Sequence, residues 1–359
     1  MTKTPWLPFL LATPLLAQGP PPGPDTTIDG ATRNAVLDGA LKALKEGYVF
    51  PDIAARMEQA LRSHQGAKDY DSITSARQFA TRLTDDLREV SHDKHLRVDY
   101  VSQVLPPAPS QPPGPEELQK IMDQQRAQLA RINFGFEKLE RLAGNVGYLD
   151  LRAFTPAALT GDTAAAAMNF LANSDAVIFD LRKNGGGDPA TVTLIASYLF
   201  GPQPVHLNDL YNRPRDETQQ FWTLPYVPGK RLAGKDVYVL TSSFTFSGGE
   251  EFTYDLKTQK RATIIGETTG GGAHPVGGRR IDDHFIIGVP SGRAINPITK
   301  TDWEGTGVEP DVKVSADQAL PTAHLMALEK LLPKMSGAPQ LKAEAEKEIE
   351  KLKKELGKE

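Results

Sequence analysis

Two wholly apolar runs, A-V-I-F at Ala176–Phe179 and V-Y-V-L at Val237–Leu240, are each closed by turn residues and followed by helix-forming sequence. A strand that is apolar at every position has no face to offer water, so it must be covered on both sides. Strand followed by helix, repeated, sets neighbouring strands parallel and predicts an α/β layer. The pattern predicts strands over Val146–Leu151, Ala176–Leu181, Asp236–Thr241, Ala262–Ile265 and Arg280–Val289. Helices are expected over Thr163–Ala172, Thr191–Phe200 and Gly248–Thr258, all within a core domain at 135–315.

Around this core the texture differs. Residues 28–104 carry apolar positions at helical spacing (Val36, Leu37, Ala40, Leu41, Leu44; Ile53, Met57, Leu61; Phe79, Leu83, Leu87) and predict a small helical N-terminal domain ending in a strand over Leu96–Val104. Residues 105–134 form a connector whose six prolines between Pro106 and Pro115 exclude a helix there, with a helix from Glu116 to about Ile132. C-terminal helices fill 316–359, one over Asp317–Leu332. The other, alternating in charge from Lys342 to Lys358, reads as a solvated tail because only Ile349, Leu352 and Leu356 punctuate it.

The first 17 residues resemble a secretory signal: Lys3, an apolar run from Trp6 to Ala17, then a Pro/Gly-rich linker over 18–27. That run falls short of the roughly 20 apolar residues a bilayer span needs, so the expectation is an exported, periplasmic or secreted product without a membrane span. With Lys+Arg 41 against Asp+Glu 45, the net charge of -4 argues against nucleic acid or another polyanion as a partner. No cysteine is present. A nucleophile must then be Ser, Thr, Lys or a carboxylate, and neither a metal nor a cofactor is expected. Oligomeric state is not fixed by anything in the sequence.

The densest chemical signal is V-Y-V-L-T-S-S-F-T-F-S-G-G-E-E-F, in which a buried strand ends at Thr241 and Ser247-Gly248-Gly249 opens a helix. A hydroxyl at a helix start lies among unpaired amides and the positive end of the helix dipole, where an oxyanion is stabilised. It works like a nucleophile elbow, although Thr245 stands where G-x-S-x-G has its first glycine. The bland alternative is that Ser247 is an N-cap with Glu250 as capping-box partner. A second strand runs into L-R-K-N-G-G-G-D, where Gly185–Gly187 offer amides free of side-chain obstruction. Phosphate binding has little support, since G-K-[ST] is missing. For a base the chain offers His92 and His95 in S-H-D-K-H-L-R-V, with His274 in G-G-G-A-H-P a closer case than the other histidines.

D-L-R-K-N-G-G-G, T-F-S-G-G-E-E-F, R-A-T-I-I-G-E-T-T-G-G-G-A-H-P and W-E-G-T-G-V-E-P-D-V together resemble the C-terminal-processing (tail-specific) protease family, in its branch similar to tricorn protease and interphotoreceptor retinoid-binding protein. The resemblance spans roughly residues 85–315 and implies a crotonase-like ββα core with serine peptidase activity on a polypeptide substrate. The processing-protease branch keeps a Lys base where this chain has Gly272, so a Ser–Lys dyad lacks its base. That branch also usually carries a PDZ domain, for which the connector is too short.

The tricorn-like branch instead implies Ser247 as nucleophile, His95 as base and Glu304 as acid. The natural oxyanion-hole donors are the amides of Gly248 and of one glycine in Gly185–Gly187, with Gly186 the first choice. The branch's helper hydroxyl would precede the His, but Lys94 stands there and Ser91 precedes His92, which keeps His92 as the alternative base. The same resemblance implies a second function, a non-catalytic module binding a hydrophobic ligand such as a retinoid or fatty acid.

Overall fold

The computed structural model describes residues 23–107 and 113–357. The expected leader (1–17), residues 18–22 of the linker and the middle of the proline-rich connector lie outside the described residues. Two compact units emerge, neither continuous in sequence. The first takes in the chain up to Ile121, Asp209–Gln219 and Gly272–Ile295, and the second takes in Met122–Asn208, Gln220–Gly271 and Asn296–Glu359. The helical unit therefore recruits two stretches that sequence reading assigned to the core domain.

In the first unit, α1 (Gly30–Gly47), α2 (Pro51–Gly66) and α3 (Ala76–Ser91) precede β1 (Arg97–Tyr100). Asp29 caps α1 by accepting from the Thr32 amide, and Ser75 caps α3 by accepting from the Gln78 amide. The helices bury the predicted apolar stripes, including Leu37, Leu44, Met57, Leu61, Phe79 and Leu83, against β1 and β10. The single strand expected over Arg280–Val289 is instead a hairpin of β9 (Val276–Arg280) and β10 (Phe285–Pro290), in a sheet of order β1-β10-β9. Its turn is set by Asp282, whose carboxylate accepts from the amides of His284 and Phe285, chemistry that favours a turn over a ladder. In this unit β11 (Gly292–Ile295) pairs with residues Asp209–Asn212 of β5 (His206–Asn212), which leads into β6 (Glu217–Trp222).

α4 (Pro115–Ala130) precedes the second unit's six-stranded sheet, of order β12-β8-β7-β4-β3-β2. The strands are β2 (Phe136–Leu142), β3 (Val146–Leu151), β4 (Ala176–Asp180), β7 (Asp236–Thr241), β8 (Thr263–Gly266) and β12 (Val312–Lys313). All neighbours are parallel except β2 against β3. Strand alternation sends Val177, Phe179 and Val239 to one face, under α5 (Ala157–Leu171), α6 (Pro189–Ser197) and α7 (Gly248–Thr258). Ala176, Ile178 and Leu240 go to the other, under α8 (Ala316–Leu331) and α9 (Pro339–Glu355). Both faces are covered, as the wholly apolar runs require. α9 is not the solvated tail expected: Ala345, Ile349 and Leu352 are buried in that second core, because a sparse apolar stripe at helical spacing suffices to seat one edge of a charged helix. Among the described residues, no helix is long and apolar enough to cross a membrane.

Candidate active site

In the second unit, β4 and β7 are parallel neighbours, so the segments leaving their C-terminal ends meet on one side of the sheet. The segment after β4 is clamped first. Arg182 pairs with the buried carboxylate of Asp180 (2.5 Å), which also accepts from Tyr148 Oη (2.7 Å). Buried Asn184 then donates to Leu151 O (2.9 Å) and accepts from the Gly186 amide through Oδ1 (2.8 Å). The segment after β7 is sewn onto it. Thr245 Oγ1 donates to Leu181 O (2.8 Å), Ser242 Oγ to Arg182 O (2.5 Å), and the Phe246 amide to Asn184 O (3.1 Å). Thr245 thus holds by its hydroxyl a turn that an elbow motif would make with glycine.

Ser247 follows, partly exposed, with φ +52° and ψ -119°. A non-glycine residue in such a region costs on the order of 1–3 kcal/mol and persists only where its surroundings impose it. Here buried Glu250 imposes it. One carboxylate oxygen accepts the Ser247 amide (2.9 Å), and the other accepts Thr269 Oγ1 (2.5 Å) and the Gly271 amide (2.6 Å). The Glu250 half of the expected capping box is therefore present, and it ties the serine turn to the 269–271 segment. That segment carries the Glu304 loop: Gly271 O accepts the Gly305 amide (3.2 Å), and Thr269 Oγ1 accepts the Val308 amide (2.7 Å).

The glycine loop abuts the serine. A methyl built on Gly186 would lie 2.7 Å from Ser247 Cβ and 2.8 Å from the Gly248 nitrogen. The Gly186 amide donates to Asn184 Oδ1. The Gly187 amide has no hydrogen bond among the described residues, and its nitrogen lies 2.9 Å from a methyl built on Gly248. The adjoining amides are those of Gly187 and Gly248. Asn184 closes a turn onto Gly186, a contact that sequence spacing does not specify.

α7 is buried nearly all round and carries two acids that the sequence reading left aside, Glu251 and Asp255. Burial pushes the Glu251 carboxyl up to about 7 against a hydrogen bond from Asn208 Nδ2 (3.2 Å). Burial, then the Glu251 charge, push Asp255 well above its ordinary value.

The predicted bases belong to the first unit, in the turn between α3 and β1. His92 is the left-handed cap of α3 (φ +57°) and is exposed. His95 is mostly shielded, and burial pulls its imidazole down to about 4, so it is neutral across the physiological range. The structure brings Ser247, Gly248, Gly186 and the Glu304 loop into one unit and His92 and His95 into the other.

A family model described as peptidase family S41 matches residues 145–314. A second, described as the N-terminal domain of that peptidase in eukaryotic IRBP, matches residues 31–135. Among solved structures, a putative peptidase from Parabacteroides merdae aligns over 79% of this chain and 90% of its own at 16% identity, with TM-score 0.53. A lipoprotein from Streptococcus agalactiae aligns over 83% and 96% at 12% identity, with TM-score 0.52. Both share the fold. The chain spans about half the length (52%) of a putative S41 protease from Bacteroides fragilis, at 23% identity and TM-score 0.46.

Proposed function

We propose that this chain, which belongs to peptidase family S41, is a serine peptidase that cleaves extended or unfolded polypeptides with Ser247 as nucleophile, His95 as base and Glu304 as supporting acid. The observation that carries this reading is the strained, partly exposed Ser247 at the start of α7, set against a glycine loop. Ser247 Oγ attacks the scissile carbonyl and its proton passes to neutral imidazole. The amides of Gly248 and Gly187 receive the oxyanion, and imidazolium returns the proton to the departing amine. Water then cleaves the acyl-enzyme by the same relay. The low value at His95 supports the base role, because a base must be unprotonated before it can act.

Gly272 in place of a lysine supports a mechanism without a Ser–Lys dyad, and the short stretch between β1 and β2 supports substrate capture without a PDZ groove. Export of the chain is proposed on its first 17 residues and is tested by N-terminal sequencing of the mature product. The activity is tested by fluorophosphonate labelling together with hydrolysis of casein. The parent protein should label and cleave, Ser247→Ala should do neither while keeping its thermal unfolding, and His95→Ala should lose turnover where His92→Ala keeps it. A well-folded parent that neither labels nor cleaves would sink the reading.

A further inference from the structure

The peptidase reading leaves a buried acid–imidazole pair unexplained. Asp93 is 1% exposed and His274 5% exposed, with 2.7 Å between Asp93 Oδ2 and His274 Nδ1. The same Oδ2 accepts from Tyr48 Oη (3.2 Å), while Oδ1 accepts the backbone amide of His95 (3.0 Å). One carboxylate thus joins α1's C-terminal tyrosine, the segment before β9 and the turn that presents His95. Arg88 fastens that turn from its other side, donating to the carbonyls of Lys94 and Leu96 (2.7 Å each). His274 is itself held. Its neighbours Ala273 and Pro275 accept from the amides of Ala294 (3.2 Å) and Ser291 (3.0 Å), and Phe50 meets its ring edge-on at 5.5 Å.

A carboxylate this deep is costly unless paired. Burial pushes the Asp93 carboxyl up, but the hydrogen bond and charge of His274 pull it below its ordinary value. Removal of His274 would leave a buried carboxylate beside the turn without its imidazole partner, still held by Tyr48 Oη and the His95 amide.

We propose that His274 is a positioning residue of the peptidase site, which acts through the Asp93 carboxylate to fix the His95 turn and to balance the charge that His95 faces. This inference rests on the reading of His95 as base. Charged groups facing His95 include Asp93, His274, Arg88 and Arg97. The Asp93 charge raises its value, while burial and the other three lower it. Loss of the His274 charge therefore moves His95 upward.

The test is the pH dependence of kcat/KM for an uncharged-side-chain peptide in the parent, His274→Asn and His274→Leu. The parent should lose activity only as pH falls through about 4, where His95 protonates. His274→Asn keeps a donor for Asp93 but no charge. It should retain kcat within about threefold and shift that acid limb upward by about one pH unit, the scale of one neighbouring charge. His274→Leu removes donor and charge, and its kcat should fall about tenfold to a hundredfold, the scale set by a misplacement of about 1 Å. If the Leu variant does not fold, the limb of His274→Asn still decides. Loss of turnover in His95→Asn with a parent-like acid limb in His274→Asn and, where it folds, a parent-like kcat in His274→Leu would overturn the positioning role and leave the base reading standing. Full turnover in His95→Asn, with none in His274→Asn, would overturn both.

Discussion

Gly186 shows how a single missing Cβ sets the serine turn. Its φ of +102° already disfavours an L side chain, and a methyl there would meet Ser247 Cβ at 2.7 Å and Phe246 O at 2.9 Å. Gly185, one residue earlier, has open space where a Cβ would go and no positive φ. The two therefore separate packing from loop flexibility. Gly186→Ala should lower kcat about 100-fold by displacing Ser247, because reacting groups misplaced by about 1 Å lose that much. Gly185→Ala should keep its turnover, with stability within about 0.5 kcal/mol of the parent. Equal kcat in the two variants, measured beside urea unfolding, would count against the geometry argued for the turn. Sequence pattern alone located the glycine loop, but which amide is left over was not legible. That depends on Asn184 Oδ1 capturing the Gly186 amide, a contact made by side-chain geometry and not by spacing.

At the level of elements, α7 places a nucleophile at its start and two buried acids on its body. Glu251 and Asp255 keep their protons to higher pH in the fold than in the open chain, because burial penalises their charged forms. The native state then binds more protons than the unfolded state above the ordinary carboxyl range, so stability falls as pH rises from about 4. For Glu251 the loss extends to about 7. Asp255→Asn removes one of these acids at nearly constant shape. It should unfold at a higher temperature than the parent at pH 8, with the difference shrinking toward pH 4, in calorimetry across that range. A variant that is equally shifted at both pH values would show that Asp255 is charged in the fold. α7's boundaries were readable from Ser247-Gly248 and the apolar period. Its burial on nearly every side was not, because Glu251 and Asp255 look like solvent-facing residues in the sequence, whereas both are buried in the fold. α9 erred in the other direction, since its three apolar positions looked too few to seat a helix.

Across the whole molecule, the apolar pattern of β3, β4 and β7 predicted the part of the fold that should also open last. Every residue of β3 and β4 is buried, and β7 is buried beyond Asp236, with helices over both sheet faces and strands on both sides. Their amides can exchange only when the second unit opens broadly. β9 offers the contrast. It is an edge strand in the order β1-β10-β9, and none of its residues is buried. Edge positions leave one row of backbone groups unpaired and exposed to local opening. Hydrogen exchange read by mass spectrometry should therefore find peptides spanning 146–151, 176–180 and 236–241 protected longest, and those spanning 276–280 labelled orders of magnitude sooner. Early labelling of the 176–180 peptide would mean that the doubly covered sheet is not the stable centre of its unit. The strained Ser247 turn would then lack the rigid support from β4 and β7 on which its chemistry depends.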